Sequence, residues 1–278
     1  MLHPKPWGYA VGGMVLCSGI NLGGGAVPEL RYTANQLNCA HFLETTQSSI
    51  VTESGGRVRE QSSGRTAVWQ FRAEPAIEQV KIEGWLDSLV LWRKSKEGTI
   101  RPDTDGLLGG RYRGTLSSTG RYQSQIRPFI PEEVAEVADM GVALDDLFPP
   151  LPSLEVRPGQ AWKDSSGLTL RRLADSGMSG VPLYRFELQS HRVQRSARLP
   201  GDTTRIALRQ VTDEEGTYVW HPTVGLLRRE RRIVVDTSVP ASRRVGQPVH
   251  SKIEQSITLV RDLDFPPVQN GSCPAVSS

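Results

Sequence analysis

Apolar and polar residues alternate along most of the chain from Leu30 onward, in runs interrupted by turn residues. A period of two puts successive side chains on opposite faces, so each run predicts a strand with one buried and one wet face. Ala67, Trp69, Phe71 and Ala73 share a face, with Gln70 and Arg72 opposite. Val80, Ile82, Leu86, Val90 and Trp92 read as one face of the next strand, against Lys81, Glu83 and Asp87. Tyr184, Phe186 and Leu188 alternate with Arg185, Glu187 and Gln189, and Ile257 and Leu259 flank Thr258. Parallel sheets are covered on both sides and read as continuous apolar runs, so this pattern predicts antiparallel pairing. Gly55-Gly56, Asp105-Gly106, Gly109-Gly110, Gly201-Asp202 and Glu215-Gly216 lie between runs and read as hairpin turns, where positive φ angles are required.

One segment changes period. Val134, Val137, Met140 or Gly141, Leu144 and Leu147 recur every three to four residues, which predicts a helix over 131–147. Pro131 suits its first position, Glu132 and Glu133 complement the dipole, and Pro149-Pro150 stop it. Such a helix serves as a lid or partner-binding element, or it covers the sheet; a single sheet needs a second layer, which favours covering. A proline-rich connector over 148–162 follows, Phe148-Pro149-Pro150-Leu151-Pro152 and then Val156-Arg157-Pro158-Gly159-Gln160-Ala161-Trp162, extended and stiff. Phe148, Leu151 and Trp162 are expected to pack where it returns to the sheet.

This proline-rich stretch, closed by Gly159-x-x-Trp162 and set among long alternating strands beside a short helix, resembles uncharacterised bacterial exported proteins. Those are similar in outline to the lipoprotein-carrier half-barrels. The resemblance implies a mainly β fold: a large curved antiparallel sheet, a half-barrel or open barrel, with the helix packed on its concave face. It also implies an apolar groove between sheet and helix, with a lipid or lipoprotein as ligand. It transfers no site residue.

The N-terminus adds a compartment. Lys5, the apolar and small-residue run from Tyr9 to Leu22, and Gly24-Gly25-Ala26 read as an export signal over 1–26 with cleavage after Ala26. The run is too short and glycine-rich to span about 30 Å of hydrocarbon, so no membrane span is expected. Leu16 precedes Cys17 where a lipoprotein signal takes a small residue, which disfavours acylation. Removing 26 residues from 278 leaves 252, read as a single antiparallel β domain over 27–278 in the periplasm or outside the cell. At 37% hydrophobic and 23% charged, the composition is that of a globular chain. Its net charge of +3 falls to +2 without Lys5, too little to call for a nucleic acid. Of the basic residues 27 are arginine and 6 lysine, spread over the chain. Loss of Cys17 leaves Cys39 and Cys273, an even pair that in an oxidising compartment reads as one disulfide worth roughly 5 kcal/mol of unfolded-state entropy.

Catalytic chemistry finds little support. His41, His191, His221 and His250 have no second ligand a turn or two away, so no metal site is expected. Asp103-Thr104-Asp105-Gly106 resembles the start of a calcium loop, but Leu107 takes the next ligand position. Gly177-Met178-Ser179-Gly180 is one residue short of a nucleophile elbow. Glu132-Glu133, Asp145-Asp146 and Glu214-Glu215 are adjacent carboxylates that helix ends or turns explain, although a glycosidase pair drawn from distant strands stays open. No cofactor is expected. The densest charge cluster, Arg228-Arg229-Glu230-Arg231-Arg232, puts cations on both faces of a strand. It either projects into solvent or lines the rim of a groove that holds an anionic head group or glycan, with Arg228, Arg229, Arg231 and Arg232 as candidate contacts. The expected function is an exported, non-enzymatic protein holding a lipid or other apolar ligand. The alternative is a structural or interaction module of the envelope that binds a protein or polysaccharide.

Overall fold

The computed structural model describes residues 30–164, 166–178, 180–198, 205–242 and 246–264. The expected leader 1–26 with Cys17, the turn Gly201-Asp202 and the tail bearing Cys273 lie outside the described residues. The alternating runs form thirteen strands: β1 (His41–Ser54), β2 (Arg57–Ala76), β3 (Gln79–Ser95), β4 (Gly98–Ile100), β5 (Tyr112–Ser117), β6 (Tyr122–Ile126), β7 (Ala161–Lys163), β8 (Thr169–Arg172), β9 (Ser176–Met178), β10 (Val181–Arg198), β11 (Arg205–His221), β12 (Gly225–Val239) and β13 (Val249–Asp262). Among the described residues, two four-residue α-helices, α1 (Ala34–Leu37) and α2 (Glu132–Ala135), and one 3-10 turn, Asp105–Leu107, complete the elements. Thr33 caps α1 with a capping box closed by Gln36.

All the strands join one antiparallel sheet in the order β6-β5-β3-β2-β1-β13-β12-β11-β10-β8-β7, with β4 on β3 and β9 on β10. The first and last strands meet at its centre, His41 opposite Asp262 and Ser54 opposite Val249. The path runs from β6 to β7 without joining them, so among the described residues the sheet is open. At 20 residues β2 is roughly 65 Å long by the rise of an extended chain.

The expected helix over 131–147 is corrected by the structure. Regular helix stops at Ala135, and the chain continues as turns to Phe148. The three-to-four spacing recorded one-sided burial, since Val134, Met140, Leu144 and Leu147 are all at most 4% exposed. The backbone takes partners other than helical ones. The Gly141 amide donates to Asp139 Oδ1 (3.1 Å), an Asx-type turn that competes with helix. Carbonyls that a helix would use internally are taken by the sheet: Glu136 O accepts from Arg93 (2.6 Å), Met140 O from the Tyr112 hydroxyl (3.0 Å) and Leu147 O from Arg229 (3.1 Å). The Tyr32 and Tyr218 hydroxyls donate to Pro149 O (2.8 Å) and Pro150 O (2.9 Å).

This segment, 131–151, forms the second layer. On the sheet's inner face it meets Trp69, Phe71, Leu86, Tyr112 and Leu116, all at most 1% exposed. The Phe148 ring packs edge-on against Phe71 at 5.6 Å and against Tyr32 at 5.5 Å. The space between sheet and segment, where an apolar groove was expected, is filled by side chains. In the connector Leu151 is buried and Trp162 stands edge-on to Phe186 at 5.9 Å.

Three sequence assignments move. Opposite Val68 and Trp69, β3 carries Ser88 and Leu86, so Asp87 is an extra residue in a bulge. The bulge inverts the phase: Leu89 and Leu91 turn inward and are buried, whereas Val90 turns outward at 58% exposed and Trp92 follows it. Asp105-Gly106 opens a 3-10 turn, Asp105–Leu107, instead of a hairpin. Glu215-Gly216 lies within β11, where Glu230 and Arg231 of β12 pass so close that a side chain at Gly216 would strike the Glu230 carbonyl.

Candidate ligand-binding face

Burial along the long strands fades from one end to the other. In β1 it is heavy from His41 to Thr46 and alternates between half-buried and exposed from Gln47 to Ser54. In β2 the order is reversed, with Arg57 to Glu60 exposed and Gly64 to Ala73 mostly buried, as antiparallel pairing requires. The sheet therefore has a covered half beneath segment 131–151 and an open half beyond it.

A belt of buried charge marks the border. Glu44, 3% exposed at its side chain, accepts from Arg65, from Trp69 Nε1 (2.8 Å) and from the Thr46 hydroxyl (3.2 Å). Arg65 Nη1 also reaches Met140 Sδ at 3.4 Å. Three strands away, Arg231 donates to Glu214 Oε1 (2.6 Å) and to Asp146 Oδ2 (3.0 Å), and Arg192 lies 3.8 Å from Glu214. Arg229 donates to the carbonyls of Asp146 and Leu147. Burial, with Arg231 adding repulsion, lowers the Arg229 pKa against the opposing pull of Asp146. Burial pushes the Asp146 carboxyl up, but Arg231, Arg229 and Arg192 together hold it below the usual range. Sequence reasoning explained Asp146 and Glu214 by a helix end and a turn and did not single out Glu44, Arg65 or Arg192. Their signal is phase: Glu44 follows Phe42 on the inward positions of β1, and Glu214 precedes Tyr218 on those of β11.

The structure divides the arginine run. Arg229, 6% exposed, and Arg231 face inward and tie the segment to the sheet. Arg228 and Arg232 face outward, Arg228 on Glu230 (2.5 Å) and Arg232 on Glu215 (3.2 Å) and Glu254 (3.4 Å). The four do not form one patch. Cys39 is buried at positive φ (56°) just after α1, its amide donating to Phe71 O at 2.9 Å.

Beyond the belt, register assembles the inner face. Ile50 stands opposite Ile253, which stands opposite Val235. Ile233 precedes this row, and Val249 opposite Val239 follows it nearer the tip. All six are half-buried. Hydroxyls and amides frame them: Ser48, Thr52, Ser251 and Thr237, with Gln61 and Gln210. From β2 to β11 and from the Ser48 row to the Ser54 row, this face spans roughly 20 Å by 20 Å at standard strand spacing and rise. Among the described residues, no hydrogen bond or ion pair ties segment 131–151 to a position beyond the Glu214 row. A recess of about 780 Å³ at the tip is lined by Leu208, Val239, Pro240, Pro248 and Val249 among others.

Among the described residues no three His, Cys, Asp or Glu are grouped to hold a metal ion. No helix among them is long and apolar enough to cross a membrane. No family model and no curated protein matches the chain. Among solved structures it is similar to one of lipovitellin, titled for lipid–protein interactions, at 12% identity and a TM-score of 0.45, covering 87% of this chain and 26% of that one. A DUF1329 family protein from Desulfovibrio piger is similar at 11% identity and a TM-score of 0.15, covering 85% of this chain and 90% of that one.

Proposed function

We propose that this is an exported, non-enzymatic protein that binds an apolar ligand, a lipid, on the open half of its sheet. One observation carries the reading: the Ile50–Ile253–Val235 row, with Ile233, Val239 and Val249, lies on the inward face with no second layer among the described residues. The opposite face of the sheet carries the acids Asp213, Glu215, Asp236 and Glu254, with the exposed Val51, Val58 and Val193 among them. Ile50, Ile253, Val235 and Ile233 form an apolar strip on the inward face, bounded toward the tip by the Thr52–Ser251–Thr237 row, and such a strip without a covering layer supports the reading of a binding site. The site lies beyond the covered half, since segment 131–151 is packed too tightly against the sheet to admit a ligand.

Native mass spectrometry of the mature chain purified from its host, with organic extraction of anything bound, tests this. A lipid adduct that Ile253→Asp abolishes, with the unfolding free energy from urea titration retained within about 1 kcal/mol, is the expected result. A clean protein mass that stays clean after incubation with lysophospholipids refutes it. The proposed export carries its own checks. N-terminal sequencing of host material should begin at Val27, and the denatured, unreduced protein should show no reactive thiol, as a Cys39–Cys273 disulfide requires.

A further inference from the structure

The charges on the two faces of the open half are segregated. Its outer face carries the acids, Glu53, Glu60, Asp213, Glu215, Asp236 and Glu254, interleaved with bases: His250 pairs with Asp236 (3.2 Å), Lys252 with Glu254 (2.6 Å) and His191 with Asp213 (2.6 Å). On the inner face, strand positions beyond the Glu214 row hold no acid among the residues whose side chains are described; Glu97, in the turn after β3, accepts from the Ser95 hydroxyl (3.3 Å) at that margin. Among the residues whose side chains are described, the charges on those strand positions are Arg57 and Arg59 on β2, opposite Ser54 and Thr52, and Arg192 on β10, opposite Thr212. Arg192 is engaged with Glu214. Arg57 and Arg59 are exposed, one row apart, and no ion pair joins either to a described acid.

Two neighbouring guanidinium groups thus stand at one margin of an apolar stripe, near the tip of the sheet. Resting on the reading above, we infer that the ligand is an anionic amphiphile of the phospholipid class. Its acyl chain lies across Ile50, Ile253 and Val235, and its phosphate is held by Arg57 and Arg59. Guanidinium forks match a phosphate with paired, charge-assisted hydrogen bonds, and acids on the same face would repel it. Placing the strand acids of the open half on the outer face reduces that repulsion at Arg57 and Arg59.

Binding to the mature chain is compared for lysophosphatidylglycerol and lysophosphatidylcholine below their micellar concentrations, by native mass spectrometry and calorimetry. The expected preference for the anionic lipid is at least about tenfold, the scale of one charge-assisted contact. The double substitution R57E/R59E should bring the ratio to about one while leaving lysophosphatidylcholine affinity within about twofold, and R57Q/R59Q should give the same direction without new acids. Equal affinities in the unaltered protein overturn the head-group assignment while the apolar site stands. A preference that survives both double substitutions, or that Arg192→Gln alone abolishes, also overturns it. Binding of neither lipid removes the apolar site as well, and a dimer that loses its association on Ile253→Asp would then assign the face to a second copy.

Discussion

Replacing Glu44 with leucine removes one carboxylate that three inward groups share. In the folded protein Glu44 and Arg65 are 3% and 14% exposed at their side chains, so solvent screens them little. Breaking such a buried pair by deleting one partner costs about 3–5 kcal/mol, because the remaining guanidinium keeps its desolvation penalty. The Trp69 indole N–H, now donating to Glu44 at 2.8 Å, would also lose its acceptor, a cost of about 1–3 kcal/mol that overlaps with the first. A total near 4 kcal/mol is expected, almost three factors of ten in the folding equilibrium and a large share of a domain's stability. Urea unfolding at pH 7, followed by both circular dichroism and tryptophan fluorescence, measures it. The double substitution E44L/R65M should recover about half of the loss, since an apolar replacement of both partners strands only the indole. As a contrast, Arg113→Ala breaks a pair whose arginine is 52% exposed and should cost less than about 1 kcal/mol. If E44L costs under about 1 kcal/mol, or the double substitution loses the sum of its singles, the belt is not the buried network described.

Gly216→Ala adds a Cβ against the Glu230 carbonyl and 3.1 Å from the Arg231 Cα, so the β11–β12 ladder must shift. The expected loss is about 1–3 kcal/mol, read as a lower urea midpoint, and an unchanged midpoint contradicts the close approach. Phe71→Ala, at a side chain with no exposure between Phe42, Trp69 and Phe148, should cost about 3–5 kcal/mol in the same assay. Alkaline pH tests the buried phenols. Burial raises Tyr122 to about 12 and pushes Tyr32, Tyr112 and Tyr218 up as well. Between pH 10 and 12 the unfolded chain loses these protons while the folded chain keeps them, so their contribution is complete below pH 10 and fades above it. Arg261, lowered to about 10 by burial, and Arg229, also lowered, act in the opposite sense, but two arginines oppose four tyrosines. Stability should fall from pH 9 to pH 11, and absorbance at 295 nm should show delayed phenolate formation; a flat profile with all phenols titrating near pH 10 opposes this.

The alternation of period two determined, from sequence alone, that the protein is mainly β, that its strands pair antiparallel, and which residues of the Trp69 and Phe186 strands face the core. Side-chain direction in a strand depends only on parity, which is local. Local information fails wherever the phase is reset or a partner is distant. The bulge at Asp87 turned Val90 and Trp92 outward because a one-residue insertion inverts every later position. The spacing from Val134 to Leu147 suggested a helix because one-sided burial leaves the same imprint, whatever satisfies the backbone; here Arg93, Tyr112, Arg229 and Tyr218 do so from distant strands, and Tyr32 from the stretch before α1. The candidate site depended still more on tertiary structure. Arg229 and Arg231 share a run with Arg228 and Arg232, but strand parity and the arrival of Asp146 and Glu214 decided which two are internal. The Ile50, Ile253 and Val235 row exists only because the first and last long strands pair at the centre of the sheet, a register set by contacts some 200 residues apart in the chain.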